Sequence, residues 1–256
     1  MIAFADGGLV AGRWANFENL ACLAETGSSN DLAREVIELY FEEDQLLPGT
    51  VILAEAQPAA RGRRGPWIAP AGRGLYLTFV RSVRSGEPLT LLPLAVARWV
   101  RDAIEEATGV VARVKWPNDL YVDRRKLAGV LSESRTQGEE TYVAIGIGLN
   151  VCGRAEELAV PGATTVETEA DRPVSLATLA QAILDRLDRE LSKPRWDEEP
   201  ARWEKVAVHR AGDAIAVRRE GREITGRYLG VTEQGFLRVA TKSGEQVVAS
   251  GEMTRW

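Results

Sequence analysis

The spacing of hydrophobic positions predicts strands alternating with amphipathic helices over the first two hundred or so residues. Apolar residues recur at helical spacing after Ser28, across residues 90–108 and after Ser175. Ser28 and Ser175 are typical N-cap residues, and Gly109 stands where a helix C-cap is expected. Apolar runs, continuous or alternating, predict strands at residues 50–56, 75–83, 112–116, 120–123, 127–132 and 141–151.

The pattern changes in the second half of the chain. Residues 153–173 are rich in Pro, Gly, Thr and Glu and indicate a surface connection, whereas residues 196–206 form a further predicted helix. After about His209, turn residues separate short predicted strands at residues 214–218, 223–229, 236–240 and 246–249. The sequence therefore predicts an α+β domain over residues 1–207 and a small barrel-like β domain over residues 208–256.

Composition and charge argue against nucleic-acid-coating, secreted and membrane-spanning proteins. The 256 residues include 32 basic and 37 acidic side chains, and the net charge of −5 argues against a chain that mainly coats nucleic acid. Cys22 and Cys152 lack metal-binding spacing, which suits a reducing compartment. Residues 1–9 lack the features of a signal peptide, and no run approaches the roughly 20 apolar residues that span a bilayer. We expect a cytoplasmic protein without membrane contact.

Residues 57–67 form an arginine- and glycine-rich segment between two predicted strands, here called the Arg/Gly loop. Glycine lets backbone N–H groups approach a ligand closely, and Arg61, Arg63 and Arg64 supply cations for phosphate or carboxylate oxygens. The same composition is also typical of an exposed basic turn without a ligand. Taken alone, the loop leaves both interpretations open.

Several common kinds of active site are disfavoured. His209 is the single histidine, so a Ser/His/Asp triad or a multi-histidine metal site would depend on that residue. The phosphate-binding loop of the common NTPases is missing. The remaining distinctive segments lie mostly at predicted strand ends and turns, where one pocket could gather them: Ser28-Ser29, the Arg/Gly loop, Lys115-Trp116-Pro117-Asn118-Asp119, Lys126-Leu127-Ala128-Gly129 and Gly146-Ile147-Gly148.

In these segments and their order, the sequence resembles the biotin–protein ligases. The most specific part is residues 115–119 followed by residues 126–133, and residues 61–65, 145–150 and 250–252 support it. The resemblance runs from about residue 25 to residue 256. It implies a mixed-sheet catalytic domain of the biotin/lipoate ligase type with a small SH3-like C-terminal β-barrel, which agrees with the change of pattern near His209.

The resemblance also implies a reaction in two steps. The biotin carboxylate attacks the α-phosphate of ATP to give biotinoyl-5′-adenylate and pyrophosphate, and a lysine of a carrier domain then takes the biotinoyl group. Mg²⁺ is expected with ATP, because it disperses phosphate charge, but no residue of the chain is assigned as a metal ligand.

Site residues follow from the same resemblance. Lys126 is expected to bridge the biotin carboxyl oxygen and the α-phosphate, and Arg63 to stabilise phosphate and retain the adenylate. Asp119 is expected to orient phosphate, metal or the incoming lysine, or to promote deprotonation of that lysine. The residues implied to bind biotin or ATP are Ser28, Ser29, Asn30, Gln57, Arg61, Arg63, Trp67, Lys115, Asn118, Lys126, Gly129, Gly148 and Asn150.

The implied protein partner is a biotin carboxyl carrier protein or domain. Relatives that repress transcription carry a helix-turn-helix domain ahead of the catalytic part, and only about 25 residues precede the matching region here. We therefore expect no DNA binding. The family includes monomers and dimers, which leaves a homodimer open.

Three alternatives stay open. The first is a lipoate or octanoate ligase of the same superfamily. The second is a non-enzymatic RNA-binding module that uses Arg61, Arg63 and Arg64 with Trp67 as a stacking platform. The third is an inactive relative that binds biotin without turnover, because Ala60 stands where the family usually has Gly, and Trp67 follows with one residue fewer than usual.

Overall fold

The computed structural model of this chain describes residues 2–3, 9–63, 65–83, 86–158 and 160–256, so Arg64 and most of residues 1–9 lie outside the described part. The helices are α1 (Ser29–Glu42), α2 (Leu92–Thr108), α3 (Val166–Ala170), α4 (Leu176–Ser192) and α5 (Glu199–Val206), with a 3₁₀ turn at Ala155–Glu157. The strands are β1 (Ile2–Ala3), β2 (Leu9–Val10), β3 (Asn19–Glu25), β4 (Thr50–Ala56), β5 (Arg61–Gly62), β6 (Gly65–Pro66), β7 (Gly74–Ser82), β8 (Arg113–Lys115), β9 (Asp119–Val122), β10 (Arg125–Gln137), β11 (Glu140–Asn150), β12 (Ala214–Arg219), β13 (Arg222–Val231), β14 (Leu237–Thr241), β15 (Gly244–Val248) and β16 (Glu252–Arg255).

The central feature is a mixed sheet with strand order β3-β4-β7-β11-β10-β9-β8. β3 and β4 run parallel, and the other neighbouring strands are antiparallel. This sheet, with the helices around it, confirms the predicted α+β fold with a mixed sheet.

Helices cover both faces of the sheet. On β11, Val143, Ile145 and Ile147 join the large core that also contains buried residues of α2 and α4. The alternate residues Tyr142 and Ala144 join a smaller core with buried residues of α1. Side chains of a strand alternate between its two faces, so positions 146 and 148 lie on the α1 face, beyond the end of the smaller core.

The predicted C-terminal β module is confirmed as an antiparallel sheet with order β15-β14-β13-β12-β16. Two hydrogen bonds connect this module to the larger domain. The Trp116 indole N–H donates to the Gly235 carbonyl (3.0 Å), in the turn between β13 and β14, and the Val208 N–H, ahead of β12, donates to the Val114 carbonyl of β8 (3.0 Å). β16 was not predicted. The domain boundary between residues 207 and 208 stays a prediction. No helix in the described residues has the length and apolar character needed to cross a membrane.

The predicted helix caps are present. Ser28 Oγ accepts from the Asp31 N–H (3.4 Å), Ser175 Oγ accepts from the Thr178 N–H (3.3 Å), and Gly109 ends α2 with φ 80°. The left-handed backbone at Gly109 favours a residue without Cβ.

The interpretation of residues 153–173 as a surface connection is wrong for Thr164, Thr165 and Val166, which are buried. The Thr164 N–H donates to the Lys126 carbonyl (2.9 Å), and Thr165 Oγ1 caps α3 by accepting from the Thr168 N–H (3.0 Å). This part of the connection is therefore fixed against β10.

Candidate active site

A pocket of about 340 Å³ lies where the α1 face of the mixed sheet, the Arg/Gly loop and the C-terminal sheet meet. This volume is in the range of small-molecule sites. The pocket brings together all but one of the predicted site residues: Ser28, Ser29, Asn30, Gln57, Arg61, Arg63, Trp67, Lys115, Asn118, Asp119, Lys126, Gly129 and Gly148. The exception is Asn150, which lies outside the lining and donates its side-chain amide to the Thr164 carbonyl (3.1 Å).

The floor of the pocket is backbone at glycine positions. Gly129 on β10 faces Gly148 on β11, and Gly146 faces Thr78 on β7. A Cβ at position 148 would lie 2.8 Å from Cε2 of Trp67, and a Cβ at position 146 would clash with Oδ1 of Asn30. The two glycines are therefore required by close neighbours that themselves line the pocket.

One end of the pocket carries a directed chain of hydrogen bonds. Thr78 Oγ1 donates to Asn30 Oδ1 (2.8 Å), and the Asn30 amide donates to Glu133 Oε2 (2.9 Å). Thr78 has one hydroxyl proton, so Ser29 Oγ must be the donor in its 2.6 Å bond to Thr78 Oγ1. Ser29 Oγ therefore offers acceptor lone pairs to the pocket.

Gln57 complements Ser29 at this end. Gln57 Oε1 accepts from the Ser29 N–H (2.7 Å), which fixes the orientation of the side-chain amide. Its NH₂ group forms no hydrogen bond with the described residues and remains a donor. An acceptor and a donor thus stand side by side in this end of the pocket.

The other end is cationic. Lys126 Nζ lies 2.8 Å from Asp119 Oδ1 and 5.3 Å from the Trp67 ring centroid. Lys115 is 6% exposed, and burial lowers the pKa of its ammonium, while Asp119 and Glu252 act in the opposite direction. Cations at this end favour phosphate or carboxylate groups as ligands.

The Arg/Gly loop forms the roof, and β5 and β6 pair within it. Arg61 forms an ion pair with Asp31 of α1. Arg63 donates through Nη1 to the Gly251 carbonyl (3.1 Å), which connects the loop to the C-terminal sheet. Ala60 is buried, and its carbonyl accepts from the Trp67 N–H (2.9 Å), so the position that departs from the family pattern lies at the base of the loop.

The turn at residues 116–119 is held by backbone and side-chain bonds. The Asn118 side-chain amide donates to the Val130 carbonyl, and the Val130 N–H donates to the Asn118 carbonyl (3.0 Å). The Trp116–Pro117 peptide bond is cis. These contacts place Asp119 next to Lys126, on the neighbouring strand.

Some polar residues that line or complete the pocket were not among the predicted site residues. Tyr76 and Glu252 are in the lining, and Thr78 orders the Ser29 and Asn30 side chains. Tyr76 and Thr78 lie in an apolar run that predicts only a buried strand. Among the described residues, no group of three or more His, Cys, Asp or Glu side chains is arranged to hold a metal ion.

Comparison with known proteins gives two family matches. Residues 26–150 match the biotin/lipoate A/B protein ligase family, and residues 212–256 match the biotin protein ligase C-terminal domain. A biotin--[acetyl-CoA-carboxylase] ligase of Paracoccus denitrificans is 33% identical over 221 residues, which cover 79% of this chain and 88% of that protein. The bifunctional ligase/repressor BirA of Escherichia coli is 32% identical over 204 residues, 75% of this chain, and the match spans 62% of the BirA length.

A solved structure agrees with these matches. The biotin protein ligase of Aquifex aeolicus in complex with biotin and ATP superposes with a TM-score of 0.76 at 28% identity, over 94% of this chain and 100% of that one. The fold, both family matches and the relative from Paracoccus denitrificans agree. This chain therefore belongs to the biotin/lipoate A/B protein ligase family and carries the C-terminal domain of biotin protein ligases.

Proposed function

We propose that this chain is an ATP-dependent biotin–protein ligase. In the first step a biotin carboxylate oxygen bonds to the α-phosphorus of ATP, and pyrophosphate leaves. In the second step the amine of a carrier lysine bonds to the acyl carbon of biotinoyl-5′-adenylate, AMP leaves, and the amine gives up a proton. The carrier is the biotin carboxyl carrier protein or domain of a carboxylase, in keeping with the name of the Paracoccus denitrificans relative.

The observation that carries this proposal is the polarity of the pocket. Its hydrogen-bonding end presents the Ser29 acceptor beside the Gln57 donor, which complements the N–H and C=O groups of the ureido ring of biotin. Its cationic end suits a carboxylate and a phosphate chain. An octanoyl or lipoyl chain lacks a group that pairs with Ser29 and Gln57, and buried polar groups left unpaired oppose such a ligand.

For the first step, two anions must approach each other. Lys126, at the cationic end, is proposed to bind the biotin carboxylate and the α-phosphate together, which removes their repulsion. Arg63, in the roof, is proposed to stabilise the phosphate and to retain the adenylate. Moving Arg63 onto a phosphate would exchange its bond with the Gly251 carbonyl for a charge-assisted one.

For the second step, Asp119 is proposed to take part in the deprotonation of the carrier lysine. Its carboxylate is the described acidic group closest to Lys126, at 2.8 Å. A carboxylate there attracts the incoming ammonium, and only the neutral amine is nucleophilic.

Mg²⁺ is also part of the proposal. Asp119 and Glu252 line the pocket, but no described cluster forms a ready metal site, so the ATP phosphate oxygens would hold most of the coordination and these carboxylates would supplement it. When bound, the ion would disperse the phosphate charge. A cytoplasmic location and the absence of DNA binding belong to the same proposal.

Biotin-dependent exchange of pyrophosphate into ATP tests the function. We expect exchange with biotin and Mg²⁺ and no comparable exchange with octanoate or lipoate, followed by biotin transfer to an isolated carrier domain. Exchange with octanoate or lipoate but not biotin would show a ligase of the other specificity, and the absence of exchange with all three acids would show an inactive relative.

A matched pair of cations controls the experiment. Lys126 lies in the pocket, whereas Arg125, the preceding residue of β10, pairs with Glu169 outside it (2.9 Å). We expect Lys126→Ala to abolish exchange and Arg125→Ala to retain it. Equal activity of the two variants contradicts the role given to Lys126.

A further inference from the structure

Lys115 is a buried cation in the pocket wall that forms no ion pair with a carboxylate of the described residues. Its one hydrogen bond there is long, 3.5 Å from Nζ to the Tyr121 hydroxyl. Asp119 and Glu252 influence it only through space. Burying an ammonium costs free energy unless its surroundings stabilise the charge. The structure must therefore contain groups that stabilise Lys115.

Two aromatic rings provide that stabilisation. Lys115 Nζ lies 5.1 Å from the ring centroid of Tyr121 and 5.6 Å from that of Trp256. The two rings meet edge to face, with centroids 4.9 Å apart and planes at 68°. Tyr121 belongs to β9 of the mixed sheet, and Trp256 follows β16 of the C-terminal sheet, so each sheet contributes one ring.

An aromatic ring, unlike a carboxylate, stabilises a lysine ammonium without competing with an anionic ligand for it. The ring quadrupole attracts a cation but carries no net charge, so the two rings stabilise the Lys115 ammonium without neutralising it. A carboxylate in contact with Nζ would compete with any anion in the pocket. Lys115 is therefore stabilised and still available to an anionic group.

We propose that Trp256 is a positioning residue for the adenylation step, and that with Tyr121 it holds the Lys115 ammonium toward the pocket as a contact for the phosphate chain of ATP. The inference rests on the proposed function, because it takes ATP as the ligand. Through Trp256, the C-terminal sheet would help to position Lys115 during adenylation.

Trp256 also has contacts on its other sides. The Arg124 guanidinium lies 5.2 Å from its ring centroid, and the His209 ring meets it edge on, with centroids 6.4 Å apart and planes at 86°. Arg124 is not among the residues that line the pocket. It therefore offers a matched control, a second cation on the same ring without access to the ligand.

Exchange kinetics test the proposal with Trp256→Leu, Trp256→Phe and Arg124→Ala. ATP is varied at saturating biotin, and biotin is varied at saturating ATP. We expect Trp256→Leu to raise the KM for ATP about tenfold, with kcat and the KM for biotin within about twofold of wild type. Trp256→Phe restores most of the loss, because it keeps an aromatic face, and Arg124→Ala behaves like wild type. An unchanged KM for ATP in Trp256→Leu, or equal rises for ATP and biotin, overturns the proposal.

Nuclear magnetic resonance gives a readout that does not depend on activity. The sequence has five lysines, Lys115, Lys126, Lys193, Lys205 and Lys242, so a ¹³C-lysine spectrum is simple, and Lys115→Arg assigns the signal of interest. We expect the ε-methylene of Lys115 to show a ring-current shift that Trp256→Leu reduces, because only the Tyr121 ring remains, and to move on titration with ATP.

The two measurements separate the two proposals. A Lys115 signal without ring-current shift, or one that ATP does not move, refutes the inference even if exchange occurs. Failure of exchange with biotin, together with a shifted and ATP-responsive signal that depends on Trp256, refutes the proposed function and supports only the contact between ATP and the Lys115 ammonium that Trp256 holds.

Discussion

Replacing Gly146 by alanine adds a methyl group where the Asn30 amide lies. The new Cβ would clash with Oδ1 of Asn30 and would lie 3.0 Å from its Cγ. Backbone fixes position 146 in the middle of β11, so Asn30 has to move. Its movement breaks the bond from Thr78 Oγ1 (2.8 Å) and the bond to Glu133 Oε2 (2.9 Å).

The size of the effect follows from these two bonds. Thr78 and Asn30 are buried, and a buried polar group that loses its partner costs about 1 to 3 kcal/mol. We expect Gly146→Ala to lower the free energy of unfolding by roughly 2 to 4 kcal/mol, measured by urea denaturation. Because Thr78 no longer directs its proton to Asn30, the acceptor orientation of Ser29 is also lost, and the KM for biotin rises.

Two controls test the reasoning. A Cβ at Gly27 would meet only Ala59 Cβ, at 3.9 Å, so Gly27→Ala is expected to be neutral or to stabilise by up to about 1 kcal/mol. In an Asn30→Ala background the clash is gone, and Gly146→Ala should cost less than about 1 kcal/mol there. Additive losses in that double-mutant cycle, or wild-type stability of Gly146→Ala, would refute the steric explanation.

Three further predictions concern catalysis, buried charge and pH. Lys126→Ala should form no detectable adenylate while its far-ultraviolet circular dichroism stays that of wild type; retained exchange would contradict its role. Arg98→Ala should lower the free energy of unfolding by about 3 to 5 kcal/mol in urea denaturation, because the buried Glu199 loses its 2.8 Å bond and keeps only the Arg202 guanidinium at 3.8 Å. Arg238→Ala, which breaks the exposed pair with Glu245 (2.7 Å), should unfold at the same urea concentration as wild type. Burial and the Lys115 charge lower the pKa of His209 from 6.5 to about 4. As the pH falls, the unfolded chain takes up the proton first, so the free energy of unfolding is retained above pH 6.5 and falls by up to roughly 3 kcal/mol toward pH 4. This decrease should be smaller in His209→Phe.

Local signals predicted the principal elements well. The apolar run from Thr50 to Ala56 predicts β4 with the bounds that the structure shows, and the capping residues Ser28 and Ser175 predict the starts of α1 and α4. β3 was missed because its sequence, Asn-Leu-Ala-Cys-Leu-Ala-Glu, lacks clear alternation and depends on the neighbouring β4 for its hydrogen bonds. Tertiary pairing with Lys126 and Val151 similarly fixes residues 164–167, whose composition indicates a loop.

The site was predictable where its residues form compact motifs. Residues 115–119 and 126–129 and the Arg/Gly loop reach one pocket, as their positions near strand ends suggested. Thr78 could not be found this way, because its importance comes from the register that sets it opposite Gly146 and beside Ser29. Trp256 likewise meets Lys115 only through the packing of the two sheets.

The backbone floor of the pocket has a consequence for drug resistance. A substitution at Gly146 or Gly148 adds atoms to space that Asn30 or Trp67 already fills, so it disturbs the pocket itself together with the binding of any inhibitor. A compound that binds mainly to the main chain of β11 therefore contacts a surface that a single substitution cannot change without also damaging the site. Escape from such a compound should arise in the roof formed by the Arg/Gly loop, where side chains rather than backbone define the wall.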